Sequence, residues 1–82
     1  MSSNQEFLRI SILQIMDGDT LNPISLEDLN KFVFLYNEDE LIERGIEWTW
    51  QHLIASARKH LVDDGLLSRC KIGKTTVYTL SN

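Results

Sequence analysis

The spacing of apolar residues between positions 46 and 61 is the strongest constraint on the fold. Five of them lie at intervals of four, three, four and four positions, which places them on one face of a helix: Ile46, Trp50, Leu53, Ala57 and Leu61. Gly65 follows, and glycine commonly ends a helix. The spacing therefore predicts a long amphipathic helix that begins at Ile46 and ends before Gly65.

The residues after this helix favour a β-hairpin. Segment 75–80 is rich in β-branched and aromatic residues, and segment 67–70 is a second short strand candidate. Between them lies Lys71-Ile72-Gly73-Lys74, where Gly73 can adopt a positive φ in the turn. Tyr78 and Leu80 share one face of the second strand. Because a two-stranded hairpin is marginal in water, we expect this face to pack against the helices.

A first helix is predicted over residues 5–16. Leu8, Ile12 and Ile15 share one face of it, and the segment Asp17-Gly18-Asp19 is expected to end it.

The pattern predicts a connector over residues 20–24 and then a second helix. Ser25 is the expected N-cap, since Asp28 follows three positions later as in a capping box. The apolar pattern continues to about residue 35 or 36. The polar segment 37–40 is predicted to break the helix before a further short turn.

These elements predict a mainly α fold with a C-terminal β-hairpin, a winged helix-turn-helix. A length of 82 residues allows a single domain, so we assign residues 1–82 to one winged-helix domain. A three-helix bundle with a frayed tail is the structural alternative, which the regular alternation in the hairpin disfavours.

The charge is polarised along the chain. Residues 1–43 hold two bases and nine acids, whereas residues 44–82 hold six bases and three acids, although the chain as a whole carries −4. A basic end of this kind can contact phosphates while the acidic end faces away, and chance asymmetry in a small domain is the alternative.

Enzyme and metal signals are weak. The spacing of His52, His60 and Cys70 matches no zinc motif, and no nucleophile has an evident base beside it. We therefore expect no enzymatic activity, no metal and no cofactor. The single cysteine excludes an internal disulfide, which favours a reducing compartment.

The sequence has no apolar run of about 18 residues, the length that a membrane-spanning helix needs. The segment Met1-Ser2-Ser3-Asn4 lacks a signal-peptide pattern. We expect a cytoplasmic protein without a membrane contact.

The polar face of the long helix and the basic hairpin are the candidate contacts to double-stranded DNA. A helix in the major groove contacts base edges with its polar side chains, and a basic hairpin can follow the backbone. The predicted DNA-binding residues are Thr49, Gln51, His52, Ser56, Arg58, Lys59, Arg69, Lys71 and Lys74.

Two tryptophans lie at the start of the predicted long helix. Trp50 belongs to the apolar stripe and is expected in the core. Trp48 is about 200° away around a helix, so both cannot face inward equally. We expect Trp48 to cover the edge of the core, with an exposed partner-binding anchor as the alternative.

Segment 57–67 carries an alanine-arginine pair, a leucine three residues later and a glycine-leucine pair before the hairpin: Ala57, Arg58, Leu61, Gly65 and Leu66. A helix start at 25–29 precedes this segment, and a strand at 77–80 follows it. This arrangement resembles the N-terminal winged-helix domain of Mrr-type restriction proteins. The resemblance implies a DNA-binding winged helix.

The sequence thus predicts a small regulator or DNA-targeting module. The alternative is a winged-helix protein-interaction module, such as a viral or phage accessory protein or inhibitor, that binds a protein partner through its acidic half. We also expect that a homodimer could form through the first helix if Phe7 and Met16 are exposed.

Overall fold

Three helices and a small antiparallel sheet make up residues 4–17 and 23–80, the part of the chain that the computed structural model describes. The predicted mainly α class with a C-terminal hairpin is confirmed. The elements in chain order are α1 (Asn4–Asp17), β1 (Ile24–Ser25), α2 (Leu26–Glu43), α3 (Trp50–Asp63), β2 (Leu67–Ile72) and β3 (Thr75–Leu80). The predicted end of α1 at Gly18 lies outside the described residues.

The sheet has the order β1-β3-β2, with both neighbouring pairs antiparallel. The hairpin register runs from Leu67 opposite Leu80 to Ile72 opposite Thr75, so β2 extends two residues beyond the predicted strand. A two-residue turn, Gly73-Lys74, joins the strands, and Gly73 has the positive φ expected of it, +65°. Lys71 therefore lies in a strand instead of the turn.

Strand β1 begins at Ile24, the last residue of the segment predicted as a connector. Ile24 pairs with Tyr78, and Ser25 pairs with Val77. Two residues are too few to show alternation, and only the distant pairing with β3 makes them a strand. The predicted connector is therefore wrong at Ile24, whereas Ser25 both pairs in β1 and serves as the predicted cap of α2.

The predicted cap of α2 is confirmed, and so is a break in the helix at the start of the polar segment. The Ser25 hydroxyl accepts a hydrogen bond from the Asp28 backbone N–H at 3.1 Å. The helix continues to Glu43 through a kink at Asn37, where φ is −127° and ψ is 16°. The Asn37 side-chain amide donates to the Val33 carbonyl at 2.8 Å. The break is thus confined to Asn37, and the helical segment that follows, over residues 38–43, is longer than the predicted short turn.

Gly45 ends α2 and explains why α3 begins later than predicted. Its φ is +71°, and its N–H donates to the Ile42 carbonyl. The Ile46 N–H donates back to the Leu41 carbonyl at 3.0 Å, which completes a Schellman cap. The backbone N–H of Ile46 thus completes the cap of α2, and α3 begins at Trp50 instead of Ile46. The Ile46 side chain is nevertheless buried, as the spacing predicts.

The core lies where the three helices meet one face of the sheet. On α3, Ile54 has no exposed surface, whereas Leu53 of the predicted apolar stripe is only partly buried. The fully buried large side chains are Leu8, Ile12, Met16, Leu29, Val33, Leu41, Ile54 and Leu61.

The two α1 side chains named for a homodimer contact, Phe7 and Met16, are not fully exposed. Met16 is 1% exposed, so the expectation that it is available to a second copy is wrong. Phe7 is partly buried, and the Arg44 guanidinium lies over its ring at 4.3 Å from the centroid.

No helix within the two described ranges combines the length and the apolar character needed to span a membrane.

Candidate nucleic-acid interface

A groove of about 420 Å³ runs between α3, the first residue of α2 and the hairpin. We call it the α3–hairpin groove. Three of the predicted DNA-binding residues line it together: Arg58, Lys59 and Arg69. The other lining residues are Leu26, Ala55, Val62, Asp63, Thr76 and Tyr78. Asp63 is therefore the one acid beside three bases in this lining.

The hairpin presents two of its bases on the side that faces the groove. Arg69 lies opposite Tyr78, and Lys71 lies opposite Thr76. Alternate residues of a strand share a face, so Arg69 and Lys71 lie on the face that also carries Leu67, whose side chain is buried against the helices. Lys71 thus extends the basic lining toward the Gly73-Lys74 turn.

The sequence predicts Arg58 as a DNA contact, but this residue lies at the buried base of the groove. Its side chain is 8% exposed. Nη1 donates a hydrogen bond to Asn30 Oδ1 of α2, and the guanidinium carbon lies 5.9 Å from the centroid of the Tyr78 ring. Its Nε is buried and has no hydrogen-bond partner among the residues that the structure describes.

The other predicted residues of α3 occupy several parts of its surface. His52 and Lys59 are exposed and seven residues apart, so they share the outer face of the helix. Ser56 is half-buried near them. Thr49 is exposed in the turn before α3. Gln51 lies apart from the α3–hairpin groove, in a second hollow between α2 and the start of α3 that Lys31 also lines.

Two bases outside the candidate interface form ion pairs with carboxylates. Arg9 contacts Asp64 at 3.3 Å, and Arg44 contacts Glu40 at 2.8 Å. The remaining six lysines and arginines have no ion pair among the described residues. Five of these six belong to α3 or the hairpin: Arg58, Lys59, Arg69, Lys71 and Lys74. The unpaired positive charge is therefore concentrated on one side of the molecule.

The C-terminal half of α2 carries a separate acidic surface. A hollow at the Asn37 kink is lined by Leu35, Tyr36 and the acids Glu38, Asp39 and Glu40. Leu35 and Tyr36 are 58% and 71% exposed. Acids and exposed apolar side chains thus lie together there.

Trp48 is 89% exposed, so the expectation that it covers the edge of the core is wrong. Because α3 begins only at Trp50, Trp48 belongs to a turn outside the helix contacts. Trp50 is 8% exposed and stacks on Phe34 with ring centroids 5.5 Å apart. The two tryptophans therefore occupy opposite environments despite their proximity in sequence.

Metal-binding geometry is absent from the part of the chain that the structure describes: no group of three His, Cys, Asp or Glu side chains could hold an ion. Cys70 is a free, exposed thiol.

Asn30 is the site residue that sequence reasoning missed. It lies within α2, 28 positions before Arg58, and a pairing over this distance leaves no local pattern. The burial of Arg58 has a weak signal, because position 58 lies four residues after the fully buried Ile54.

No family model, no curated protein and no solved structure matches this chain.

Proposed function

We propose that this chain is a winged-helix DNA-binding protein in which α3 enters the major groove and the hairpin contacts the phosphate backbone. The observation that carries the proposal is the concentration of four exposed bases without an ion pair among the described residues on α3 and the hairpin: Lys59, Arg69, Lys71 and Lys74. Phosphate contacts from such bases supply most of the affinity of a protein for duplex DNA.

The element order also supports the proposal. Helices α2 and α3 are joined by the Schellman cap at Gly45 and the short turn after it, as in a helix-turn-helix, and the β2–β3 hairpin follows directly. The resemblance to the Mrr-type domain stays a prediction from the sequence, and the proposal does not depend on it.

Residues near the start of α3 would contact the bases. In a helix-turn-helix, N-terminal residues of the second helix reach base edges. Thr49, Gln51 and His52 are exposed at this end, and a glutamine amide matches the N6 and N7 atoms of adenine. Lys59 and the hairpin bases would contact phosphates. The protein would act as a small regulator or as a DNA-targeting module.

The direct test is binding to random duplex DNA at low salt, repeated at rising salt. Gln51→Glu places a carboxylate on the proposed interface, and Gln14→Glu makes the same charge change on the exposed side of α1. We expect Gln51→Glu to weaken binding at least about tenfold and Gln14→Glu to change it little. Equal affinities of the two variants, or no binding by the parent protein at low salt, would overturn the proposal.

A second candidate function, binding of a basic protein partner, is favoured by the surface at the α2 kink. Leu35 and Tyr36 are exposed there beside three acids, and exposed aromatic side chains are common binding anchors. This function predicts that Tyr36→Ala weakens capture of a basic partner. A parent protein that binds duplex DNA, with an affinity unchanged by Tyr36→Ala, would favour the first function instead.

A further inference from the structure

Arg58 is a buried charge whose compensation is incomplete. Arginine stays protonated in proteins, so burial cannot neutralise it. Its one described hydrogen bond goes to a neutral amide, Asn30 Oδ1, and no carboxylate among the described residues forms an ion pair with it. Its Nε is buried and finds no hydrogen-bond acceptor within the described part of the chain. Burial of an unpaired charge and an unsatisfied donor is costly, which calls for a physical explanation.

The surroundings of Arg58 are those of an anion site. Lys59 and Arg69 are exposed at the rim of the same groove, and Thr76 adds a hydroxyl group to its lining. Positive charges at the rim attract an anion, and the buried guanidinium offers it donors that are shielded from water.

We infer that the α3–hairpin groove binds a phosphate group, with Arg58 at its base and Lys59 and Arg69 at its rim. The planar fork of an arginine matches the oxygens of a phosphate, and a lysine adds a point charge. A volume of about 420 Å³ exceeds that of one phosphate, so the group would belong to a larger molecule that also contacts the apolar wall. The aliphatic residues of the groove lining are Leu26, Ala55 and Val62.

The phosphate can come from two sources. One is the backbone of duplex DNA, and for this source the inference rests on the proposed function. The other is a free phosphate monoester such as a nucleoside monophosphate, which would bind whether or not the protein binds DNA.

The first test follows the arginine Nε–Hε signals of the parent protein by NMR during titration with inorganic phosphate. We expect the Arg58 signal to shift saturably, and the signals of Arg9 and Arg44, which are engaged elsewhere, to stay within the change caused by sodium chloride at equal ionic strength. An Arg58 signal that responds no more than these two would overturn the inference.

The second test uses a matched pair of variants. Arg69→Gln removes a rim charge, and Arg9→Gln makes the same substitution in a half-exposed ion pair on α1. We expect Arg69→Gln to weaken phosphate binding several-fold and Arg9→Gln to leave it unchanged. Because Arg69 is exposed, this variant should keep the fold even where substitution of Arg58 does not. Equal phosphate affinities of the two variants would contradict the inference.

The third test separates the two sources and separates this inference from the proposed function. Displacement of a nucleoside monophosphate by duplex DNA, with the Arg58 signal shifted in both complexes, supports a backbone phosphate. A shift with the monophosphate but no DNA binding supports the free ester, and the proposed function then fails alone. The opposite outcome is that the protein binds DNA but the Arg58 signal shifts with neither DNA nor the monophosphate. That result overturns the inference, while the proposed function stands.

Discussion

Arg58 of α3 donates a hydrogen bond from Nη1 to Asn30 Oδ1 of α2, and this contact joins the two helices at the base of the basic groove. The acceptor is neutral. The hydrogen bond therefore holds the guanidinium in position without neutralising its positive charge, which can still attract an anion.

Replacement of Asn30 separates the structural role of this contact from its electrostatic role. Asn30→Ala should destabilise the protein by about 1.5–3 kcal/mol, the usual cost of losing a hydrogen bond to a charged group. Asn30→Asp should retain the contact as an ion pair and cancel the charge that attracts an anion. We expect Asn30→Asp to fold at least as stably as Asn30→Ala and to bind phosphate and duplex DNA at least about tenfold more weakly than the parent.

Urea denaturation and a binding titration at one fixed salt concentration measure these two effects. Parent-like DNA and phosphate binding by a folded Asn30→Asp variant would show that the charge of Arg58 plays no part in recognition.

The contrast between Trp50 and Trp48 makes a second prediction. Trp50 is buried against Phe34, so Trp50→Ala should cost about 3–5 kcal/mol of unfolding free energy. Trp48→Ala removes a side chain that is 89% exposed, so its effect should stay within about 0.5 kcal/mol. Chemical denaturation of the two variants measures the difference. A large loss of stability in Trp48→Ala would mean that its ring packs against the fold.

The sequence predicts most of this fold because its signals are local. The cap at Ser25, the helical spacing from Trp50 to Leu61 and the alternation in β3 each depend on residues close together in the chain. The predictions fail where distant residues decide the outcome. Strand β1 exists only because Ile24 pairs with Tyr78, 54 positions later.

The candidate site follows the same division. The basic hairpin can be found from composition alone. The burial of Arg58 leaves only a weak spacing signal, because its contacts are with Asn30 and Tyr78, which only the tertiary fold brings to the same place. The predicted start of α3 is too early for a related reason. The spacing of Ile46 fits a helix, but its N–H completes the cap of α2.

The cap of α2 makes a third prediction. Ser25→Ala removes the acceptor for the Asp28 N–H and should cost about 1 kcal/mol of unfolding free energy. Ser25→Asn is the matched control, because an asparagine side chain can accept the same hydrogen bond. Thermal denaturation should give a lower midpoint for the alanine variant alone. Equal midpoints for the two variants would show that the cap contributes little here.

The Schellman cap at Gly45 makes a fourth prediction. A Cβ added at this position would meet no atom within 4 Å, so the cost of Gly45→Ala comes from the positive φ alone. That cost is about 1–2 kcal/mol. Gly45→Asn should cost less, since asparagine tolerates this region of φ better than alanine does. Urea denaturation checks the order of stability, and an alanine variant as stable as the parent would contradict it.

The hairpin lysines make the last prediction, which concerns salt dependence. If Lys71 and Lys74 each neutralise one backbone phosphate, then Lys71→Ala/Lys74→Ala should weaken binding to all duplex sequences alike. The slope of log K against log salt should become shallower by about 2. Lys71→Arg/Lys74→Arg is the matched control, because it keeps both charges and should keep the slope. Fluorescence anisotropy with labelled random duplex at four or more salt concentrations gives these slopes, and an alanine variant with the parent slope would remove the hairpin from the DNA interface.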